Sequence, residues 1–169
     1  MGIILYVPFP HDPQRLIGGE RYMASELRPH LSILYVEDSD AEAMLVSLAE
    51  AEADLGWEIV RARNGREGLE MARAVRFDGI LTDYEMPVMN GLELLRELKN
   101  GGLLRTTAVI LSSNMTEEIA SCANKLGAAM CVMKSFDIRD ICVDLCAIDK
   151  IIRRGCDNCR VESNNAFVN

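Results

Sequence analysis

The sequence predicts an α/β fold: a doubly wound, five-stranded parallel sheet with helices on both faces. Two observations predict it. Apolar runs of strand length alternate with segments of helical period five times between residues 31 and 152. Four of these five strand candidates are almost wholly apolar, as strands covered on both faces must be. Right-handed crossovers then fix the winding of the chain.

In chain order, LSILYV (31–36) is the first strand candidate, and AEAMLVSLAEAEADL (41–55) sets Met44, Leu45, Leu48 and Ala51 at helical spacing. WEIVRA (57–62) alternates as a strand with Trp57 packed at its start, and Asn64-Gly65 reads as a turn. REGLEMARAV (66–75) is helical, GILT (79–82) is a strand, and GLELLRELKN (91–100) is a helix. AVILS (108–112) is a strand. TEEIASCANKL (116–126) opens on a capping-box spacing that Ile119 leaves incomplete, with Glu117 and Glu118 suited to a helix start. AAMCVM (128–133) is the last strand. DIRDICVDLCAIDKII (137–152) places Ile138, Ile141, Cys142, Leu145, Ile148 and Ile152 on one face. Residues 1–30, with Pro8, Pro10, Pro13 and Pro29, read as an extension of uncertain order. Residues 31–153 form the folded body, and 154–169 a loose polar tail.

Bulk properties narrow the function. The chain has 169 residues and a net charge of −8, which argues against a nucleic-acid binder that must displace counterions with a basic face. Neither a secretory leader nor an apolar run long enough to cross a membrane is legible, so a cytoplasmic protein with reduced thiols is expected. The two histidines, His11 and His30, precede the first core strand. A Ser-His-Asp relay or a His-ligated zinc site would need one inside the folded body.

The strand ends carry the chemistry. Glu37 and Asp38 follow the first strand, Asp83 the third, Ser112 closes the fourth, and Lys134 follows the fifth. In an open parallel sheet these ends share one edge, where ligands bind at the switch in strand order. A polar residue after a strand is ordinarily a cap or a turn. Four such ends bearing acids, a hydroxyl and an ammonium make a site the better reading. Clustered carboxylates repel one another, and a hard divalent cation such as Mg²⁺ (or Mn²⁺) relieves this with oxygen ligands. Asp83 could then act as a nucleophile toward phosphorus, with Ser112 and Lys134 offsetting the charge of the transferred group.

VEDSD (36–40), ARNGREGLE (62–70), DYEMPVMNGLELL (83–95), LSS (111–113) and LGAAMCVMKSF (126–136) together resemble the receiver domain of bacterial two-component response regulators. The resemblance spans roughly residues 31–153 and implies a flavodoxin-like sheet of order 2-1-3-4-5. It implies Asp83 as phosphoacceptor, with Asp38 as direct metal ligand and Glu37 as second acid. The backbone carbonyl of Glu85 is implied as a further ligand. Ser112 matches the switch hydroxyl and Lys134 its partner lysine. The side chains of Glu85 and Asn114 match positions that tune dephosphorylation. Two positions depart from the pattern. Cys131 stands where an aromatic is usual, and Ser135 where a proline usually follows the lysine, often through a cis bond that would cost about 3 kcal/mol before serine.

The expected protein is a single-domain switch, phosphorylated by a sensor histidine kinase or histidine phosphotransfer protein and read by a downstream protein, with no DNA-binding domain and no membrane segment. The departures at 131 and 135 motivate a phosphorylation-independent scaffold as the alternative. An aspartate-nucleophile phosphatase fits less well, because its second acid is normally Asp where this chain has Glu85. Cys156-x-x-Cys159 invites a zinc or redox reading, yet Cys142 and Cys146, the nearby partners, fall on the apolar stripe as core thiols.

Overall fold

Successive side chains of a strand point to opposite faces of its sheet, so each buried strand of this chain feeds two cores. The computed structural model describes the backbone of residues 5–6, 29–104 and 106–165, and the side chains of 29–104 and 106–156. Its elements are β1 (Leu5–Tyr6), β2 (Leu31–Val36), α1 (Asp40–Ala53), β3 (Trp57–Ala62), α2 (Gly65–Ala74) and β4 (Gly79–Asp83). They continue with α3 (Gly91–Asn100), β5 (Thr107–Ser112), α4 (Glu117–Leu126), β6 (Met130–Met133) and α5 (Ile138–Asn165). All strand pairs are parallel, in the order β1-β6-β5-β4-β2-β3. The five strands read from sequence thus lie as β3-β2-β4-β5-β6, which is the 2-1-3-4-5 arrangement.

Leu31, Ile33 and Tyr35 of β2 join Val109, Leu111 and Val132 beneath α1 and α5, which contributes Ile141, Leu145, Ile148 and Ile152. Leu34, Val36, Ile80, Ala108 and Ile110 face the other way, onto Leu69 of α2, Leu94, Leu95 and Leu98 of α3, and Ala120 and Ala123 of α4. The alternation is strict, and it leaves the carboxyl ends of β2, β4, β5 and β6 on one edge.

Four sequence expectations change. The buried stripe of α1 is Ala43, Val46 and Ala49, with Leu45 half-buried, while Met44 and Leu48 are exposed. This helix is apolar on several sides, so spacing alone does not choose its face. Packing selects the small side chains, which let α1 approach the sheet and α5 closely. Asn64-Gly65 is more than a turn: Asn64 caps α2, its side chain accepting the Glu67 N–H at 3.0 Å. Leu5–Tyr6, within the N-terminal extension, pairs in parallel with Cys131 and Val132 and adds a sixth strand at the β6 edge. Finally, α5 runs on to Asn165 rather than giving way to a loose tail after residue 153. Gly155, inside this continuation, is a close approach. A Cβ there would lie 2.6 Å from Thr107 Oγ1, so glycine lets the helix continue past β5. Once nucleated, a helix propagates through polar residues unless something breaks it. His11 and Cys159 lie outside the described side chains.

Candidate functional site

The β2, β4, β5 and β6 ends converge as the sheet topology requires. Glu37, Asp83 and Ser112 are buried, and Asp38 is exposed beside them. Each of Glu37, Asp38 and Asp83 offers a carboxylate oxygen, and these oxygens lie within 4.8 Å of one another. Lys134 reaches across from the end of β6, its Nζ 2.6 Å from Asp83 Oδ1 and 2.8 Å from Glu37 Oε2. Ser112 closes β5 beside Met133 in register, and its Oγ accepts the Asn114 N–H at 3.2 Å. Glu85 and Asn114 themselves lie exposed on the loops after β4 and β5.

Local contacts fix the acids. The Tyr35 hydroxyl donates to Glu37 Oε2 at 3.1 Å, and Ser39 N–H donates to Glu37 Oε1 at 3.0 Å. Arg61 of β3 donates to the carbonyls of Glu37 and Asp38 at 2.9 and 3.0 Å, bracing the turn that presents both carboxylates. The loop after Asp83 is clamped in turn. Gly91 N–H donates to Tyr84 O at 3.1 Å, and a Cβ on Gly91 would sit 2.3 Å from the Asp83 carbonyl oxygen. Met89 is buried beneath this loop, while its neighbour Val88 is exposed at φ 70. Positive φ is costly for a β-branched residue, and such strain gathers at working loops.

Electrostatics follow from this crowding. Burial pushes the Asp83 carboxyl above its usual range; Lys134 pulls it back, and Glu37 and Glu42 push it up again. Burial alone would lower the Lys134 pKa, but hydrogen bonds to Asp83, Glu37 and Glu42 outweigh it and hold the ammonium charged. Burial next to Glu37 raises the Tyr35 hydroxyl, which stays a donor. Sequence reasoning missed Tyr35, Arg61 and Glu42. Glu42 carried a visible signal, the Ser39-x-x-Glu42 spacing, but that signal speaks for a helix cap rather than for a site.

The two atypical positions are accommodated differently. Cys131 is buried in the core beneath α4, and burial raises its thiol pKa. Ser135 follows Lys134 with no cis peptide among the described residues, and its hydroxyl donates to Asp140 Oδ2 at 3.1 Å and accepts the Asp137 N–H at 3.1 Å. The loop is therefore trans, held by the hydroxyl where a proline ring is usual.

The response regulator receiver domain family matches residues 33–145. The chain is 41% identical over 80 residues to the polar-differentiation response regulator DivK of Brucella anthropi, a match covering 47% of this chain and 63% of that protein. It is 33% identical over 87 residues to the transcriptional regulatory protein CrdR of Helicobacter pylori, covering 52% of this chain and 41% of the relative. The matched segment thus spans less than two thirds of either relative. The chemotaxis response regulator CheY4 of Vibrio cholerae superposes with a TM-score of 0.63 at 28% identity, over 71% of this chain and 99% of that structure. An α/β sheet with an acidic carboxyl edge that holds one lysine defines a phosphoacceptor module of two-component signalling. The chain belongs to the response regulator receiver domain family.

Proposed function

We propose that Asp83 accepts a phosphoryl group in a cation-dependent reaction, from a sensor histidine kinase or a histidine phosphotransfer protein, and that the modified surface then engages a downstream protein. The observation that carries this reading is the convergence of Glu37, Asp38 and Asp83 with the Lys134 ammonium 2.6 Å from Asp83. Glu37, Asp38 and Asp83 would hold a Mg²⁺ or Mn²⁺ ion, with the Glu85 carbonyl as a further ligand. The donor set is all oxygen, the kind a hard divalent cation takes, and the three carboxylate oxygens lie within 4.8 Å of one another. Bound there, the cation supplies positive charge against the transferred phosphoryl oxygens.

A carboxylate oxygen of Asp83 forms the new O–P bond as the donor's P–N bond breaks, and the electron pair leaves on the imidazole nitrogen. Lys134 keeps its proton throughout and hydrogen-bonds the incoming oxygens. Ser112 Oγ lies at the end of the neighbouring strand, where its hydroxyl would donate to the phosphoryl group. The exposed Glu85 and Asn114 flank the route by which water removes it. Cys131 and Ser135 change the relay from this site to the outer face.

The test is incubation with a small phosphodonor and Mg²⁺, read by intact mass. Wild type should gain one phosphoryl group, and chelation or Asp83→Asn should abolish the gain. A protein that stays unmodified would favour the phosphorylation-independent scaffold.

A further inference from the structure

Glu42 lies outside the acidic trio yet holds the same ammonium. Lys134 Nζ is 2.6 Å from Glu42 Oε2, as close as it is to Asp83. An ammonium has three N–H donors, and here they meet Glu37, Glu42 and Asp83.

Glu42 is the third residue of α1, whose cap is Ser39, and its N–H donates to Ser39 Oγ at 3.3 Å. In a Ser-x-x-Glu box the glutamate normally reaches back to the N–H of the cap. The box of α3 closes in this way: Asn90 N–H donates to Glu93 Oε2 at 2.9 Å, and Glu93 N–H to Asn90 Oδ1 at 2.9 Å. In α1 the return place is taken, because Glu37 Oε1 accepts the Ser39 N–H at 3.0 Å. The Glu42 carboxylate is thereby diverted across the crevice to a lysine 92 positions away.

We infer that Glu42 is a positioning residue that holds Lys134 in reserve and yields it when phosphoryl oxygens arrive at Asp83. The inference rests on the phosphoacceptor reading above. A lysine whose three protons are committed must drop one acceptor to serve another. Glu37 and Asp83 are buried, whereas the Glu42 side chain is 26% exposed on the rim. Water can replace the lysine at Glu42, so this contact is the least costly to lose. A phosphoryl group carries up to about two negative charges and three strong acceptor oxygens, and so outcompetes a rim carboxylate. Glu42 thereby sets how tightly the phosphorylated state is held.

The experiment uses the full chain in saturating Mg²⁺, titrated with beryllofluoride as the phosphoryl mimic. Wild type, Glu42→Gln and Glu42→Asp are compared by calorimetry. Glu42→Gln should bind the mimic about five- to tenfold more tightly, the scale of one net hydrogen bond at the solvent-exposed rim that no longer has to be broken. Glu42→Asp keeps the charge but is a methylene too short, and should also bind more tightly. In wild type, the ¹³C resonance of the Glu42 carboxyl should shift on saturation as the ammonium leaves it, a signature that needs no variant. Unchanged or weaker binding by Glu42→Gln, Glu42→Asp indistinguishable from wild type, or a stationary Glu42 resonance would each overturn the role of Glu42 while leaving the phosphoacceptor reading intact. Failure of wild type itself to bind the mimic would overturn that reading, and this inference with it.

Discussion

Asp83 and Asp144 are both buried acids held above the usual carboxylate range, but they sit in opposite kinds of surroundings. Asp83 lies 2.6 Å from an ammonium, at a crevice lined with further oxygens. Asp144 lines a cavity of about 40 Å³ between α1, α5 and the sheet, among Leu45, Val46, Ile141 and Ile148, and its Oδ1 has no hydrogen-bond partner among the described residues. Burial, then the nearby Asp140, lifts its pKa to about 6. Burial of an acid is therefore not enough to mark a phosphoacceptor. The Asp83 region adds a cation, neighbouring carboxylates and an open edge. The Asp144 cavity is walled mainly by apolar side chains, and although Tyr35, Glu42, Lys134 and Ser135 also line it, none of them bonds Asp144 Oδ1, so there the carboxylate is a cost to stability.

The largest effect should come from making the first region resemble the second. Lys134→Met removes the ammonium that Glu37, Glu42 and Asp83 share. Stripping the partner from a buried charge pair should cost about 4 kcal/mol at pH 8. The loss should shrink toward pH 5, because burial holds the Asp83 carboxyl above its usual range and it can take up a proton. Urea denaturation at both pH values measures this. An equally stable variant would show that the lysine does not hold the acidic edge together.

A smaller effect of opposite sign should follow at Asp144. The folded pKa, about 6, lies above the unfolded value of about 3.9, so the folded state binds the proton more tightly. Wild type therefore loses stability as the pH rises between these values, and the penalty is complete above pH 6. Asp144→Asn should be more stable at pH 8 by up to about 3 kcal/mol, and should flatten this part of the profile. Thermal melts from pH 4 to 8 decide it; matching curves for the two proteins would mean that Asp144 is solvated.

The smallest effect concerns backbone rather than charge. Asp144 sits in regular helix, whereas the loop after Asp83 holds Val88 at φ 70. Val88→Gly should relieve that strain at a smaller cost in chain entropy, for a net gain of about 0.5 kcal/mol. A destabilised variant would show that the exposed Val88 side chain makes contacts that outweigh the strain.

The same contrast separates what the sequence shows from what it hides. Asp83, Glu37, Asp38, Ser112 and Lys134 each terminate or follow an apolar run, and parallel topology carries all such ends to one edge. Their convergence was legible from position alone. Glu42 and Asp144 sit inside helices, where function depends on rotation about the axis and on distant partners. Glu42 meets Lys134 across 92 positions, and its local spacing points to a cap. The buried face of α1 was misread for a related reason: Met44 and Leu48 are apolar yet exposed, and only packing against α5 selects Ala43, Val46 and Ala49. The length of α5 was hidden because residues 154–169 read as a loose polar tail until Gly155 is seen against Thr107.

The most direct test of the central claim is to locate the phosphoryl group. Phosphodonor-treated protein, reduced with borohydride and digested, should carry its single modified acid at Asp83, in the peptide spanning residues 79–91. Modification at Asp38 or Glu37 instead, or at no acid of the cluster, would contradict the account.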